Sequence, residues 1–282
     1  MLFLNYIDKF KKIILSKLLL RSKIIANFLY PFEYPCILKE HKISKKKLCH
    51  YLLCMDLIEG WFLKGAAQLF IWIDYIQKRE NISGDLFEIG VHMGKSVILL
   101  GLMVDKTKEK LGVCDLFKIQ DKNISRSGGG NKNLFLYNFT SFFDNISFLT
   151  IYEKASNMLT SSDCSQCRIF HIDGGHTTEE TFSDLCLASD SLVDKGIVIV
   201  DDIFNSMWPG VTDGFYKFML ERNNKLVPLV VAFNKLVLCK PNVYKWYKEK
   251  LCTAEWEKYI KKTNLIIDEK DWFGVTVQVL GS

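Results

Sequence analysis

At 282 residues, with 49% hydrophobic and 24% charged residues, the chain has the composition of one α/β domain with appendages, which excludes a disordered or low-complexity polymer. Its formal net charge of +5 is unevenly placed: residues 1–50 hold eleven Lys/Arg against three Asp/Glu, leaving 37 − 11 = 26 basic and 32 − 3 = 29 acidic residues for the remainder. Nine cysteines without a regular framework point to a reducing compartment, so a cytoplasmic location is expected.

Residues 2–30 mix apolar side chains with Lys9, Lys11, Lys12, Lys17, Arg21 and Lys23. Phe3, Ile7, Phe10, Ile14 and Leu18 share one helical face, but Lys11, Lys17 and Arg21 project toward the same side. Two readings stand: packing on the chain's own domain or on a second copy in a homo-oligomer, and peripheral contact with an anionic membrane. Nucleic acid is not the expected partner. No run reaches the roughly 18 uninterrupted apolar residues of a spanning helix, and the charges and the missing small-residue cleavage site argue against a secretory signal. Pro31 and Pro35 break the chain before a helical region expected over residues 44–77.

From Gly84 to Ser96 the chain reads as a buried strand ending near Glu88, a glycine turn from Gly90 to Gly94, and a helix start at Lys95 and Ser96. In an open parallel sheet, ligands sit at the carboxyl ends of strands, where glycine lets the backbone approach and the next helix offers free N–H groups. A phosphate-cradling loop needs four residues between Gly90 and Gly94-Lys95-Ser96, and only Val91, His92 and Met93 are there. The dinucleotide fingerprint lacks its second glycine. S-adenosylmethionine fits better, because it carries no phosphate and its positive sulfonium tolerates Glu88 at the loop.

Leu111 to Asp115 reads as the next strand, and Asp115 at its end is placed to accept hydrogen bonds from ribose hydroxyls. The Gly-rich residues 125–133 follow as a lid or a flexible connection. Cys164 and Cys167 form the one C-x-x-C, read as a loop accident for want of a second pair at zinc spacing.

Two apolar runs, Arg168 to Asp173 and Gly196 to Asp202, end in carboxylates and are separated by a helical stretch over residues 178–193. As neighbouring parallel strands they bring Asp173, Asp201 and Asp202 to one edge, where like charges raise one another's pKa unless a divalent cation relieves them. All-oxygen ligands point to magnesium, manganese or calcium rather than zinc. Beyond Trp208-Pro209-Gly210, a turn near the site, residues 226–233 and 235–240 read as a β-hairpin, residues 244–262 as a helix and residues 272–280 as an added strand.

At this point the chain resembles a known family. Glu59-Gly60-Trp61-Phe62, Glu88 through Ser96, Asp115-Leu116-Phe117, Ser127-Gly128-Gly129-Gly130, Ile172 through His176, Asp201 through Asn205, Trp208 through Val211 and Asn234-Lys235-Leu236 look like class I S-adenosylmethionine-dependent methyltransferases. The likeness runs from about residue 59 to 240 and is similar to the metal-dependent, macrocin-type sugar O-methyltransferases and the cephalosporin-hydroxylase-like proteins. It implies a Rossmann-like α/β fold with a seven-stranded, mostly parallel sheet whose last strand is antiparallel, cofactor contacts at Glu88, Gly90, Gly94 and Asp115, and magnesium at Asp173, Asp201 and Asp202. The domain plan is then a basic helical extension over residues 1–58, a methyltransferase domain over 59–240, and a helix-and-strand extension over 241–282.

Methyl transfer is an in-line displacement at the sulfonium methyl, so the acceptor oxygen must be aligned and nearly deprotonated. The expected activity is O-methylation of a sugar, glycan or small polyhydroxylated acceptor assisted by magnesium. His176 is the candidate base by pKa and location, with Asp173 as the alternative. Lys95 and Ser96, which open the helix after the loop, join the cofactor candidates. His92 and His171 read as structural. Two other readings remain open at this level: a P-loop-like nucleotide-binding protein, and a cofactor-binding module without catalysis.

Overall fold

The computed structural model describes residues 45–164 and 166–251, Thr253, Trp256 and residues 266–281. The expected basic segment over residues 2–30 therefore lies outside the described residues. The expected single helical region over residues 44–77 is two helices, α1 (Lys45–Cys54) and α2 (Lys64–Arg79), parted by extended chain around Trp61. Gly60 (φ +140°) sits in that break, a conformation L side chains rarely adopt.

Seven strands form the expected frame: β1 (Asp85–Ile89), β2 (Leu111–Asp115), β3 (Leu149–Glu153), β4 (Cys167–Ile172), β5 (Leu192–Asp201), β6 (Val227–Ala232) and β7 (Lys235–Cys239). They order as β3-β2-β1-β4-β5-β7-β6. The first five are parallel, and β7 runs antiparallel between β5 and β6. Two further strands, β8 (Ile266–Trp272) and β9 (Val275–Gly281), extend the described sheet to nine, with β9 parallel to β6 and β8 at the edge. The expected lone strand over residues 272–280 is thus a hairpin. Phe273 (φ +51°) and Gly274 (φ +72°) make its two-residue turn, and the charges of Asp268, Glu269, Lys270 and Asp271 disguise the first arm in the sequence. Of the helix expected over residues 244–262, the described part is α7 (Tyr244–Leu251).

Helices cover both faces. On one side α1, α2, α3 (Lys95–Met103), α4 (Lys132–Thr140) and α7 contribute to the larger apolar cluster; on the other, α5 (Thr178–Ser191) and α6 (Pro209–Glu221) contribute to a second. The strands feed both by alternation, interrupted in β6 where Leu229 and Val230 both enter the first cluster at a register shift. In β5, Ile197 and Ile199 enter the first cluster while Val198 and Val200 enter the second. Leu48 of α1 and Leu280 of β9 join the same first cluster, so the described parts of both flanks pack on the central domain.

The same alternation decides where the polar strand ends point. Glu88 follows Leu86, His171 follows Ile169, and Asp201 follows Ile199, so all three face the layer of α2 and α3. Lys235 shares that face two residues before Val237 and pairs directly with Asp201 across the β5–β7 ladder.

Candidate functional site

The carboxyl ends of β1, β2, β4 and β5 open onto one cleft of 1340 Å³. Its walls include Gly90 to His92, Lys95, Ser96, Asp115, Ser156, Asn157, Asp173 to His176, Asp201, Asp202 and Trp208. The strand ends and the glycine loop therefore converge as the sequence predicts.

Gly90 (φ +88°) crosses the end of β4 so closely that a Cβ there would lie 1.7 Å from the Asp173 carbonyl oxygen. At Gly94 (φ +84°) a Cβ would meet the Phe135 ring at 2.5 Å. Both positions demand glycine for conformation and for space. The loop is pinned from outside as well: the Val91 and His92 N–H groups donate to Asp115 Oδ2 at 2.7 and 2.8 Å, and the Phe117 N–H donates to Oδ1 at 2.6 Å. Asp115, expected to accept from ribose hydroxyls, thus also braces the glycine loop.

Glu88 does not reach the cleft. It is fully buried, its Oε1 accepts from the Ser96 hydroxyl, and its Oε2 lies 3.4 Å from His171 Nδ1. His171 is itself fully buried against the Phe62 and Phe70 rings. Lys95 lines the cleft and donates to the Gly60 carbonyl at 3.0 Å, while its own carbonyl accepts from the Tyr51 hydroxyl at 2.8 Å. Burial lowers the Lys95 pKa.

The acidic ends of β4 and β5 divide into two groups. Ligand atoms of Asp173, His176 and Asp202 lie within 4.8 Å of one another, as do those of His171, Asp173 and Asp201. Asp201 is 8% exposed, and its Oδ1 pairs with the Lys235 ammonium and accepts from the Asp202 N–H. Lys235 is 1% exposed, and its ammonium also stands 5.5 Å over the Phe62 ring. Asp202 adopts φ +57°, a left-handed turn that Asp tolerates better than most residues, and swings out of the strand alternation toward the cleft. There it meets His176 Nε2 at 3.0 Å and accepts from the Asn205 and Asn234 side-chain amides. Burial works to raise its pKa, but those hydrogen bonds hold it below the ordinary carboxylate value. Asp173 behaves oppositely: burial, then the Asp201 charge, push its pKa well above the ordinary value. The Asp201 charge beside Asp173 is a repulsion that a bound cation would relieve.

His176 is held at both ring nitrogens. Ser127 Oγ lies 2.8 Å from Nδ1, opposite the Asp202 contact at Nε2, and Trp208 stacks on the ring at 4.4 Å. The Gly-rich segment is therefore closed over the site, with Asn123 Nδ2 donating to the Ser127 carbonyl at 2.8 Å. The His92 ring lies tilted against Trp61, with centroids 5.4 Å apart. Cys164 and Cys167 are free, buried thiols whose pKa values burial raises, outside the cleft lining.

Sequence reasoning singled out Lys235, Asn205, Asn234 and Ser127 only within the motifs that carry the resemblance and gave none of them a role. Lys235 carried a signal in principle, a lone lysine in an otherwise apolar strand. Ser127 carried none, because a loop serine has no periodicity.

A parallel sheet with an antiparallel β7, a glycine loop after β1 and acidic ends on β2, β4 and β5 define a class, and the sequence supports it: residues 87–203 match the family model described as a methyltransferase domain. Those residues carry the likeness to a methyltransferase domain, and the sheet and helices around them have the class I methyltransferase fold. In architecture the chain is similar to the O-methyltransferase NovP, at a TM-score of 0.54 and 17% identity over 64% of this chain and 83% of that one. It is likewise similar to a protein of Klebsiella pneumoniae described as a candidate O-methyltransferase, at a TM-score of 0.50 and 12% identity over 78% of this chain and 97% of that one. No curated protein matches the chain in sequence.

Proposed function

We propose that the chain transfers the methyl group to a hydroxyl of a sugar, glycan or small polyhydroxylated molecule, with a divalent cation bound beside the cofactor. The observation that carries this reading is the convergence of Asp173, His176 and Asp202 on the cleft that also holds the glycine loop. Likeness of fold to the O-methyltransferase NovP is consistent with oxygen as the acceptor atom.

The donor set fits a hard cation. Asp173, raised in pKa by burial and by Asp201, is stabilised as a carboxylate by any cation bound at its oxygens. Asp173 and Asp202 supply cleft-facing oxygens. Asp201 stands behind them, paired with Lys235. The pair with Lys235 removes one negative charge from the cluster, so its formal charge is −3 + 1 = −2, which suits a divalent ion. When bound, such an ion supplies Lewis acidity that makes an acceptor hydroxyl easier to deprotonate.

The protein's own residues do the rest. Gly90 and Gly94 let the loop backbone approach the cofactor, with Lys95 and Ser96 opening α3 beneath it, and Asp115 keeps the loop in place and is the acceptor offered to the ribose hydroxyls. Ser156 and Asn157 line the same cleft. Asp202 at Nε2 favours the tautomer with the proton on that nitrogen, which leaves Nδ1 bare. Nδ1 then accepts the acceptor proton once Ser127 yields its place. Trp208 fixes the plane of the ring. Glu88 acts as a buried support for the start of α3 rather than as a cofactor ligand.

Calorimetric titration with S-adenosylmethionine, with and without magnesium and with ATP as control, tests the cofactor half. Transfer of labelled methyl to catechol and to methyl glycosides, in magnesium and then in chelator, tests the other. Selective cofactor binding with chelator-sensitive O-methylation supports the proposal; turnover that persists in chelator, or after Asp173→Asn, sinks the cation.

A further inference from the structure

Apart from any part in methyl transfer, His176 completes a second arrangement. Asp202 Oδ2 lies 3.0 Å from its Nε2 and Ser127 Oγ lies 2.8 Å from its Nδ1, so a carboxylate, an imidazole and a hydroxyl stand in one hydrogen-bonded row. The donors present fix the direction of each bond. Asp202 Oδ1 accepts from the Asn205 and Asn234 amides, and as a carboxylate the residue can only accept at Oδ2 too, which puts the imidazole proton on Nε2. Nδ1 is then bare, and the Ser127 hydroxyl donates to it. Ser125 Oγ, 2.8 Å from Ser127 Oγ, is left as the donor in that pair. The Ser127 oxygen therefore receives one hydrogen bond while its own proton is aimed at the base.

Such a row is how a serine is made nucleophilic: a base stands ready for its proton, and a third group holds the base in the right tautomer. The surroundings suit the role. Trp208 stacks on the imidazole with centroids 4.4 Å apart, and the His176 and Asp202 side chains are 11% and 16% exposed, shielded yet lining the cleft together with Ser127. Three glycines follow the serine. The N–H groups of Gly128, Gly129 and Gly130 donate to nothing among the described residues, and a Cβ at Gly129 would meet nothing within 4 Å. Unspent backbone donors are the kind a developing oxyanion needs. The same cleft is walled by Trp61, Ile124 and Met207, which are 78%, 71% and 74% exposed and seat an apolar group. Seven carboxylates against three lysines along its lining turn away a substrate that carries negative charge.

We propose that Ser127, activated by His176 and oriented through Asp202, is a nucleophile toward neutral carboxylic esters with an apolar acyl group. The Ser127 oxygen bonds to the ester carbonyl carbon while its proton passes to Nδ1. Collapse of the tetrahedral adduct breaks the bond to the leaving alkoxide, which takes that proton and departs as the alcohol. Water then attacks the acyl-serine in the same way, giving up a proton to Nδ1 that returns to the serine oxygen as the acid is released. Neither S-adenosylmethionine nor a cation takes part, so the outcome is separate from that of the methyltransferase reading.

The test is labelling of the full chain with a fluorophosphonate probe, no S-adenosylmethionine or divalent ion being added, with the adduct located by peptide mass spectrometry and hydrolysis of p-nitrophenyl butyrate followed alongside. One label per chain is expected, on Ser127, and none on the heat-denatured chain. His176→Gln should slow the labelling by about 10²-fold or more, and Ser127→Ala should abolish it together with the ester hydrolysis, thermal melts showing that each variant is folded. Wild type left unlabelled at Ser127 overturns the proposal whatever the variants do. So does a label that the denatured chain takes equally well, labelling undiminished in folded His176→Gln, or hydrolysis undiminished in Ser127→Ala; the row would then be a latch that holds the loop down.

Discussion

His176 concentrates the site's logic in one side chain. Its Nε2 faces Asp202 and its Nδ1 faces Ser127, so the ring can neither flip nor tilt without breaking a hydrogen bond. His176→Gln should therefore lower kcat by about 10²–10⁴-fold, the usual span for a general base, with cofactor affinity unchanged by calorimetry; an equal loss of cofactor binding would make the residue structural instead. A second titrating residue works on stability. Asp184 in α5 is 1% exposed, and burial raises its pKa from 3.8 to about 7, against the opposing hydrogen bond of Ser156. Its folded-state pKa lies above the unfolded one, so the folded state binds the proton more tightly between the two. The stabilising contribution is fully present below pH 3.8 and is lost as pH rises through about 7. Asp184→Asn should flatten this dependence: in thermal melts at pH 8 the variant should gain on wild type relative to melts at pH 5, and an unchanged difference would refute the assignment.

At the scale of elements, the strands that carry the site were legible because each is a short apolar run closed by a carboxylate: β2 by Asp115, β4 followed by Asp173, and β5 by Asp201. What the run does not disclose is which face a given residue takes. β1, β4 and β5 are buried on both sides, so there is no polar-out alternation to read. Glu88 consequently looked like a loop acid and is an interior one, while Asp201 looked like an equal of Asp202 and is the partner of Lys235. Lys235 is paired with Asp201 by register, a property of two strands thirty-four residues apart. The opposite end of the sheet holds a similar surprise. Arg168 at the start of β4 is fully buried, reaching Asp74 of α2 at 2.8 Å and Glu109, before β2, at 3.0 Å, with Gln77 Oε1 accepting at 2.9 Å. Such networks need every member. Glu109→Gln should cost about 3–5 kcal/mol, the range for removing one partner from a buried ion pair, read as a lower urea midpoint with an unchanged slope. A loss under about 1 kcal/mol, typical of surface pairs, would show that the network is solvated.

Across the described molecule, both faces of the sheet and the described parts of both flanks are packed into two apolar clusters, and the cleft lies at the carboxyl ends of four strands. A ligand that binds only the folded chain stabilises it by mass action. S-adenosylmethionine at about one hundred times its Kd should add about 2.7 kcal/mol and raise the Tm by several degrees, more so with magnesium present if Asp173 is held as a carboxylate by the cation. Chelator should then reverse the second increment alone. A magnesium-dependent rise in Tm that survives Asp173→Asn would place the ion elsewhere. The two-strand addition beyond β6 was only half legible, since Ile266–Trp272 alternates poorly and is charged along its length. Those charges also explain its position: an edge strand studded with Asp268, Glu269, Lys270 and Asp271 offers a poor template to another chain.

The close passage of Gly90 over the Asp173 carbonyl has a further consequence, for inheritance rather than for chemistry. At 1.7 Å, no side chain fits between them, so the glycine loop and Asp173, proposed to serve the donor and the recipient, are keyed together at one backbone contact. A lineage changing its acceptor must therefore vary the outer walls, at Trp61, Ile124 or Met207, and leave that joint untouched. Gly90→Ala would disable both halves of the cleft in a single step.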